Sequence, residues 1–242
     1  MSRTSVSDNR LLKPRADSLA SQPAPEPVAL LGRVPGVGRL VDRLGASEFR
    51  RRLLHMLPGL LPGLLWFIPH RDPWGVPLIA SAILLALTVS IFAIVRERDF
   101  LRANESHWVQ TVIGYIVPVM ALLLFLPGRS ELGLMTLGII AFGDGSATLG
   151  GTLLGGHRLP WNNRKRWTGL FCFVCAGSVA ATFNYWVEAR PTVPFGTVVC
   201  IATVATLVAA FVESLPIRSH DNLRVGTAAA VTGVLMHALL LG

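Results

Sequence analysis

From about residue 46 to the C-terminus, long apolar runs alternate with short polar clusters, most of them basic. A run of about 20 apolar residues crosses the hydrocarbon core of a bilayer as a helix. The runs Leu53–Pro69, Val76–Val95, Val109–Leu126, Leu132–Leu154, Trp167–Val187, Phe195–Val212 and Val225–Leu241 therefore predict about seven membrane-spanning helices. The expected fold class is all-α, a polytopic integral membrane protein. Leu53–Pro69 is the least regular run, because Pro58, Pro62 and His55 interrupt it. Prolines are tolerated in membrane helices where the freed backbone faces a cavity or another helix. Residues 1–45 differ from the rest. They carry Pro14, Pro23, Pro25, Pro27 and Pro35 and several serines, but no sustained apolar run. They read as a disordered or loosely attached tail without a signal-peptide core. Residues 46–242 make up the membrane-embedded domain.

The basic residues in the short connections set the orientation. Arg39, Arg43, Arg50, Arg51 and Arg52 precede the first run. Arg96, Arg98 and Arg102 follow the second, Arg158, Arg164, Lys165 and Arg166 follow the fourth, and Arg218 and Arg224 follow the sixth. The alternate connections hold only Arg71, Arg129 and Arg190. This bias predicts a cytoplasmic N-terminus and an outer C-terminus, with the cytoplasmic membrane as the expected location. It also places the polar clusters on the cytoplasmic side, which suggests a site that takes a cytosolic reagent and a lipid. The opposite connections are short and chemically plain.

Composition supports the same picture. The chain is 52% hydrophobic and 15% charged, against about 25% charged in soluble domains. Mean hydropathy is +0.54. The formal net charge of +8 could suggest nucleic acid, but the cations flank apolar spans, so topology explains them and no nucleic-acid partner is expected. Cys172 and Cys175 have redox-motif spacing, yet within a membrane helix they are neighbours on one face and read as small packing residues.

Four polar clusters carry the candidate chemistry. The first is Gly143-Asp144-Gly145-Ser146-Ala147, with Gly150 beyond it. An ionisable residue at the centre of a span costs roughly 2.5–3.5 kcal/mol or more, so Asp144 is a functional candidate, as a ligand of a hard cation such as Mg²⁺. The glycines would clear space for phosphate oxygens; the alternative is tight helix packing, with Asp144 at the interface end of its span. The second is the loop with Arg158, Asn162, Arg164, Lys165 and Arg166, whose cations either set topology or clamp a polyphosphate. The third holds Glu213, Asp221 and Asn222, oxygen ligands suited to Mg²⁺, although Asp221 or Asn222 could simply cap the last helix. In the fourth, Arg51, Arg52 and His55 can share one helix face. His237 stands apart near the outer end of the last span and reads as structural. No soluble-type nucleotide motif or zinc-like cluster is present.

Together these elements resemble the family of CTP-dependent lipid-alcohol kinases: phytol kinase, dolichol kinase and CTP-dependent diacylglycerol kinase, distantly related to phosphatidate cytidylyltransferase. The resemblance covers roughly residues 48–240. It rests on Arg51-Arg52-Leu53-Leu54-His55, the Asp144 glycine run, Leu159-Pro160-Trp161-Asn162 with Lys165-Arg166-Trp167 and Gly169, and Glu213-x-Leu215-Pro216 with Asp221-Asn222-Leu223. It implies transfer of the γ-phosphoryl of CTP to a membrane-embedded alcohol. Asp144, Glu213 and Asp221 would hold Mg²⁺ or orient the alcohol. Lys165, with Arg158, Arg164 or Arg166, would neutralise the phosphates, and Asn222 would assist the metal or nucleotide. Arg166 and Leu170 depart from the small hydroxyl and small polar residues frequent in the family at those positions.

Two other readings stand beside this one. A cytidylyltransferase would attach CMP to a lipid phosphate, but its Lys-Asp pair and C-terminal glycine-rich stretch are missing around Ser219–Arg224. A transporter would also fit broken helices and an intramembrane aspartate, yet the polar residues gather at one face.

Overall fold

A computed structural model describes residues 37–65, 67, 75, 108–189, 191–217 and 221–242. The expected span Val76–Val95, and the tail up to residue 36, lie outside the described residues. Two short helices open the described chain, α1 (Val37–Leu44) and α2 (Ala46–Met56), separated by Gly45 at φ +82°. One 3₁₀ turn (Leu57–Leu60) and the short α3 (Leu61–Leu65) follow. Then come α4 (Trp108–Phe125), α5 (Ser130–Gly138), a π-helical turn (Ile139–Gly143) and α6 (Asp144–Leu153). A hairpin of β1 (Arg158–Leu159) and β2 (Asn162–Arg166) leads to α7 (Trp167–Glu188), α8 (Phe195–Ser214) and α9 (Asp221–Leu241).

Among the described residues four helices are long and apolar enough to cross a membrane: Ser130–Leu153, Trp167–Glu188, Phe195–Ser214 and Asn222–Leu241. They coincide within a few residues with the last four expected runs except in one respect: the first contains the π-helical turn. The run Val109–Leu126 appears as α4, with Pro118 inside it. Leu53–Pro69 is interrupted where its prolines lie: over its described residues it is not one continuous α-helix. Proline lacks the N–H that continues an α-helix, and the chain tightens to 3₁₀ at Pro58 before restarting at Leu61.

Small residues let these helices approach closely, the usual means of association where lipid is as apolar as the side chains. The core joins Met135, Ile139 and Ile140 to Phe173, Tyr185 and Ile201, all fully buried, with Ala202, Ala205 and Ala209 of α8 and Ala229 of α9 between them. A Cβ on Gly177 would lie 2.8 Å from Thr206 Cγ2, and one on Gly226 would lie 2.5 Å from Pro118 Cγ. The order of contact is α4 against α5 and α9, α9 against α8, α8 against α7, and α7 against the whole of Ser130–Leu153.

At one end of this bundle the span Ser130–Leu153 stops at Gly155 and Gly156, both at positive φ (+68° and +95°), which only glycine adopts readily. The hairpin they introduce was not anticipated in an all-α reading. It pairs Arg158 with Arg166 and Leu159 with Asn162 in antiparallel register. Arg43 of α1 donates to the Leu153 carbonyl at 2.8 Å, placing a cation at the C-terminus of α6. Phe49 of α2 is buried against Val41, Leu44, Leu149 and Leu153.

The opposite end is less plain than its loops suggest. Ser130, Glu131 and Glu188 are all buried there, with Ser130 Oγ donating to Glu188 Oε1 at 3.2 Å. His237 is not isolated either, since its Nδ1 lies 2.6 Å from the Tyr185 hydroxyl. Sequence spacing missed this group because its members come from three helices distant in the chain.

Candidate functional site

The π-helical turn Ile139–Gly143 ends directly at Asp144, the first residue of α6. Such turns insert an extra residue into a helix and are frequent at functional sites. Here the carboxylate faces α2. Arg52 Nη1 donates to Asp144 Oδ2 at 2.9 Å, and His55 Nε2 lies 3.2 Å from the same oxygen. The three side chains retain only 14–19% of their accessible surface. Arg52 and His55 are three residues apart on α2, so one helix face delivers both.

Glu48, one turn before Arg52, accepts from Arg52 Nε at 3.1 Å and from both Nε and Nη2 of Arg51 at 2.9 Å. Burial raises the Glu48 carboxyl pKa, but the hydrogen bonds and charges of Arg51 and Arg52 more than offset this and hold it below its ordinary value. Arg51 thus serves Glu48 from a half-exposed position, while Arg52 bridges Glu48 and Asp144.

Tyr115 of α4 completes this corner. Its hydroxyl donates to the His55 carbonyl at 2.8 Å, and its ring stands edge-on to the imidazole, 5.0 Å between centroids. One residue earlier, Gly114 meets α9: a Cβ there would lie 2.6 Å from Asn222 Cβ. Asn222 is thereby brought beside the corner. The side chain of Asp221 lies outside what is described.

The second basic cluster sits on the hairpin. Lys165 Nζ bonds both the carboxylate and the backbone carbonyl of Glu213, in the last turn of α8. Glu213 is buried while Lys165 stays partly open. A carboxylate at a helix C-terminus meets the negative end of the dipole, and Lys165 compensates. Lys165 also lies close enough for its charge to act on Asp144. Asn162 is buried, with Nδ2 donating to the Ser214 carbonyl at 3.0 Å and Oδ1 accepting from the Arg164 amide at 3.1 Å. Trp161 Nε1 donates to Ser214 Oγ at 3.1 Å. These bonds dock the hairpin on α8. Arg158, Arg164 and Arg166 project as exposed side chains around Lys165.

The glycine run has a packing function in the structure. A Cβ on Gly143 would lie 2.6 Å from Phe173 Cζ, one on Gly145 2.5 Å from Met56 Cγ, and one on Gly150 would collide with Cys172. Ser146 Oγ lies within hydrogen-bond distance of the Gly143 and Cys172 carbonyls, at 2.9 and 3.0 Å. The space left by the missing side chains is therefore filled by α2 and α7, where a phosphate cradle was one of two expectations. Asn162 likewise is committed to the hairpin's anchorage. Tyr115 is the residue that sequence reasoning overlooked; Glu48 opens the segment that carries Arg51, Arg52 and His55, but no role was read for it. Tyr115 is one of only two tyrosines in the chain and sits in an otherwise apolar run, a signal that could have marked it.

The site therefore gathers Asp144, Arg52, His55 and Tyr115 at a helix junction, with the Lys165–Glu213 pair and three exposed arginines on the hairpin that follows α6. Among the described residues no group of three or more His, Cys, Asp or Glu side chains is arranged to hold a metal ion.

No family model matches the chain, and no solved structure matches it. Curated proteins do. Phytol kinase 1 of Arabidopsis thaliana is 26% identical over 202 residues, covering 78% of this chain and 66% of the relative. A probable phytol kinase 1 of Glycine max is 28% identical over 202 residues, 72% of this chain and 62% of the relative. Farnesol kinase of Arabidopsis thaliana is 23% identical over 208 residues, 77% and 64% respectively. All three carry the designation chloroplastic. The chain thus spans slightly less than two thirds of the length of these relatives. Across most of its own length, this membrane protein is similar to plant phytol and farnesol kinases.

Proposed function

We propose that the chain transfers the γ-phosphoryl group of a nucleotide, CTP, to the hydroxyl of an isoprenoid alcohol held in the membrane. The alcohol oxygen bonds to the γ-phosphorus, the bond from that phosphorus to the β–γ bridging oxygen breaks, and the hydroxyl proton is released. The products are CDP and an isoprenyl monophosphate. The observation that carries this reading is the convergence of Asp144, Arg52 and His55 at the end of an apolar span, beside the Lys165–Glu213 pair. Similarity to proteins named phytol kinase and farnesol kinase supports it.

Phosphoryl transfer asks mainly for positioning and charge neutralisation. Asp144 is suited to orient the hydroxyl and take its proton, because Arg52 and His55 fix the carboxylate in place. Lys165 and the exposed Arg158, Arg164 and Arg166 are suited to the nucleotide phosphates, and Asn222, beside the Tyr115 corner, to the metal or nucleotide. Mg²⁺ binds through one or two carboxylates plus substrate phosphates rather than a full protein cage. Asp144 and Glu213, each already facing a cation, fit such a shared site, and Asp221 is the third candidate. Bound there, the ion would offset charge on the transferring group. The site and N-terminus would face the cytoplasm, where the nucleotide is.

The test is incubation of purified protein with Mg²⁺, labelled CTP or ATP, and phytol, farnesol, dolichol or diacylglycerol. Label from the γ position in an isoprenoid product supports the proposal. Label from the α position in lipid would show CMP transfer, the cytidylyltransferase reading, and overturn it.

A further inference from the structure

Between the α2–α3 segment and the lipid-facing side of α7 lies an apolar cavity of about 670 Å³, within the roughly 300–1,000 Å³ range of small-molecule sites. Gly59, Gly63, Ala176 and Ala180 keep it open, and Phe142 and Phe183 wall it. One end of it comes within a helical turn of the site along the chain. Phe142 lies two residues before Asp144, and Gly59 lies one turn after His55. From Cys175 to Phe183 it follows eight residues of α7, about 12 Å at about 1.5 Å per residue. The polar side chain at its far end, Asn184, spends its amide on the carbonyls of Gly59 (3.3 Å) and Leu134 (3.1 Å), leaving no donor for a polar ligand.

We propose that this groove holds the hydrocarbon chain of the acceptor alcohol, with the hydroxyl at Asp144 and the tail running toward Asn184. The assignment rests on the kinase reading for its hydroxyl end only. The groove recognises a flexible, unbranched-to-methyl-branched apolar chain by burial, without hydrogen bonds, and therefore discriminates by length.

Two measurements test it separately from the reaction. Cys175 lines the groove and is one of three cysteines. In a Cys172→Ala, Cys200→Ser variant in phosphatidylcholine nanodiscs, phytol should slow maleimide labelling of Cys175 several-fold. In a Cys172→Ala, Cys175→Ser variant, labelling of Cys200 should be unaffected. Ala176→Phe, which fills the groove at mid-length, should raise KM for phytol by about tenfold or more, while geraniol is little changed, since each lost buried methylene costs about fourfold. Protection of Cys175 without phosphorylation of any alcohol would sink the kinase reading and keep the groove. Phosphorylation of phytol with unprotected Cys175 and an unchanged chain-length profile in Ala176→Phe would overturn the groove and keep the kinase.

Discussion

Arg52 reaches across 92 residues of chain to place Nη1 2.9 Å from Asp144 Oδ2, while its Nε is held by Glu48. One guanidinium thus ties α2 to the start of α6. Arg52→Lys keeps the charge but cannot make both contacts in fixed geometry. Activity should fall about tenfold in Arg52→Lys and about a hundredfold in Arg52→Ala, measured as kcat/KM for the alcohol. Equal activity in the alanine variant would remove Arg52 from the site.

Asp144→Asn preserves shape and removes the charge that Arg52 and His55 surround. The expected outcome is loss of about 10²–10³-fold in kcat with the protein still folded by circular dichroism. Unchanged Mg²⁺-dependent phosphorylation would take Asp144 out of the reacting set.

Lys165 and Glu213 touch directly, so their roles should not add. A double-mutant cycle of Lys165→Met and Glu213→Gln should give a coupling of about 0.5–3 kcal/mol in kcat/KM for the nucleotide. Strict additivity would mean that the pair does not act as a unit.

Tyr115→Phe deletes only the hydroxyl that donates to the His55 carbonyl. It should destabilise the protein by about 0.5–1.5 kcal/mol and lower kcat more than it raises KM, because the ring still packs on the imidazole. An effect confined to KM would place Tyr115 at the substrate rather than behind His55.

Glu48 supplies a pH dependence with a definite sign. Its carboxyl is a stronger acid in the folded protein than the ordinary value of 4.5. As pH falls through 4.5 the unfolded chain takes up the proton first, so stability decreases with falling pH. The contribution is complete above the ordinary value and is gone once pH has dropped through the folded one. Melting temperature of the wild type in detergent should decline over that acid window, and Glu48→Gln should flatten the decline. Identical acid limbs would show that Glu48 is not responsible.

Hydrophobic periodicity located the last four spans within a few residues, because lipid imposes length and apolarity on each of them. The two prolines marked the interruption after Met56, but not its form, a 3₁₀ turn followed by a short helix. The grouping of Asp144 with Arg52 and His55 was legible only as shared sidedness; Glu48 bonds both Arg51 and Arg52 within α2, so it is the packing of α2 against α6 that makes Arg52 the one to reach Asp144. The glycines around Asp144 were ambiguous for a physical reason: close helix approach and phosphate access both demand a missing side chain. The hairpin escaped notice because its strands are two and five residues long, and its anchorage comes from Ser214, some fifty residues away.

The π-helical turn ahead of Asp144 acts as an angular spacer. An α-helix advances about 100° per residue, and the wider π-helical turn takes in one residue more for nearly the same rotation. Deleting Ala141 would remove that extra residue and close the wide turn on which Asp144 opens α6. The local setting of the carboxylate is thus written in residue count within Ile139–Gly143 as well as in residue identity.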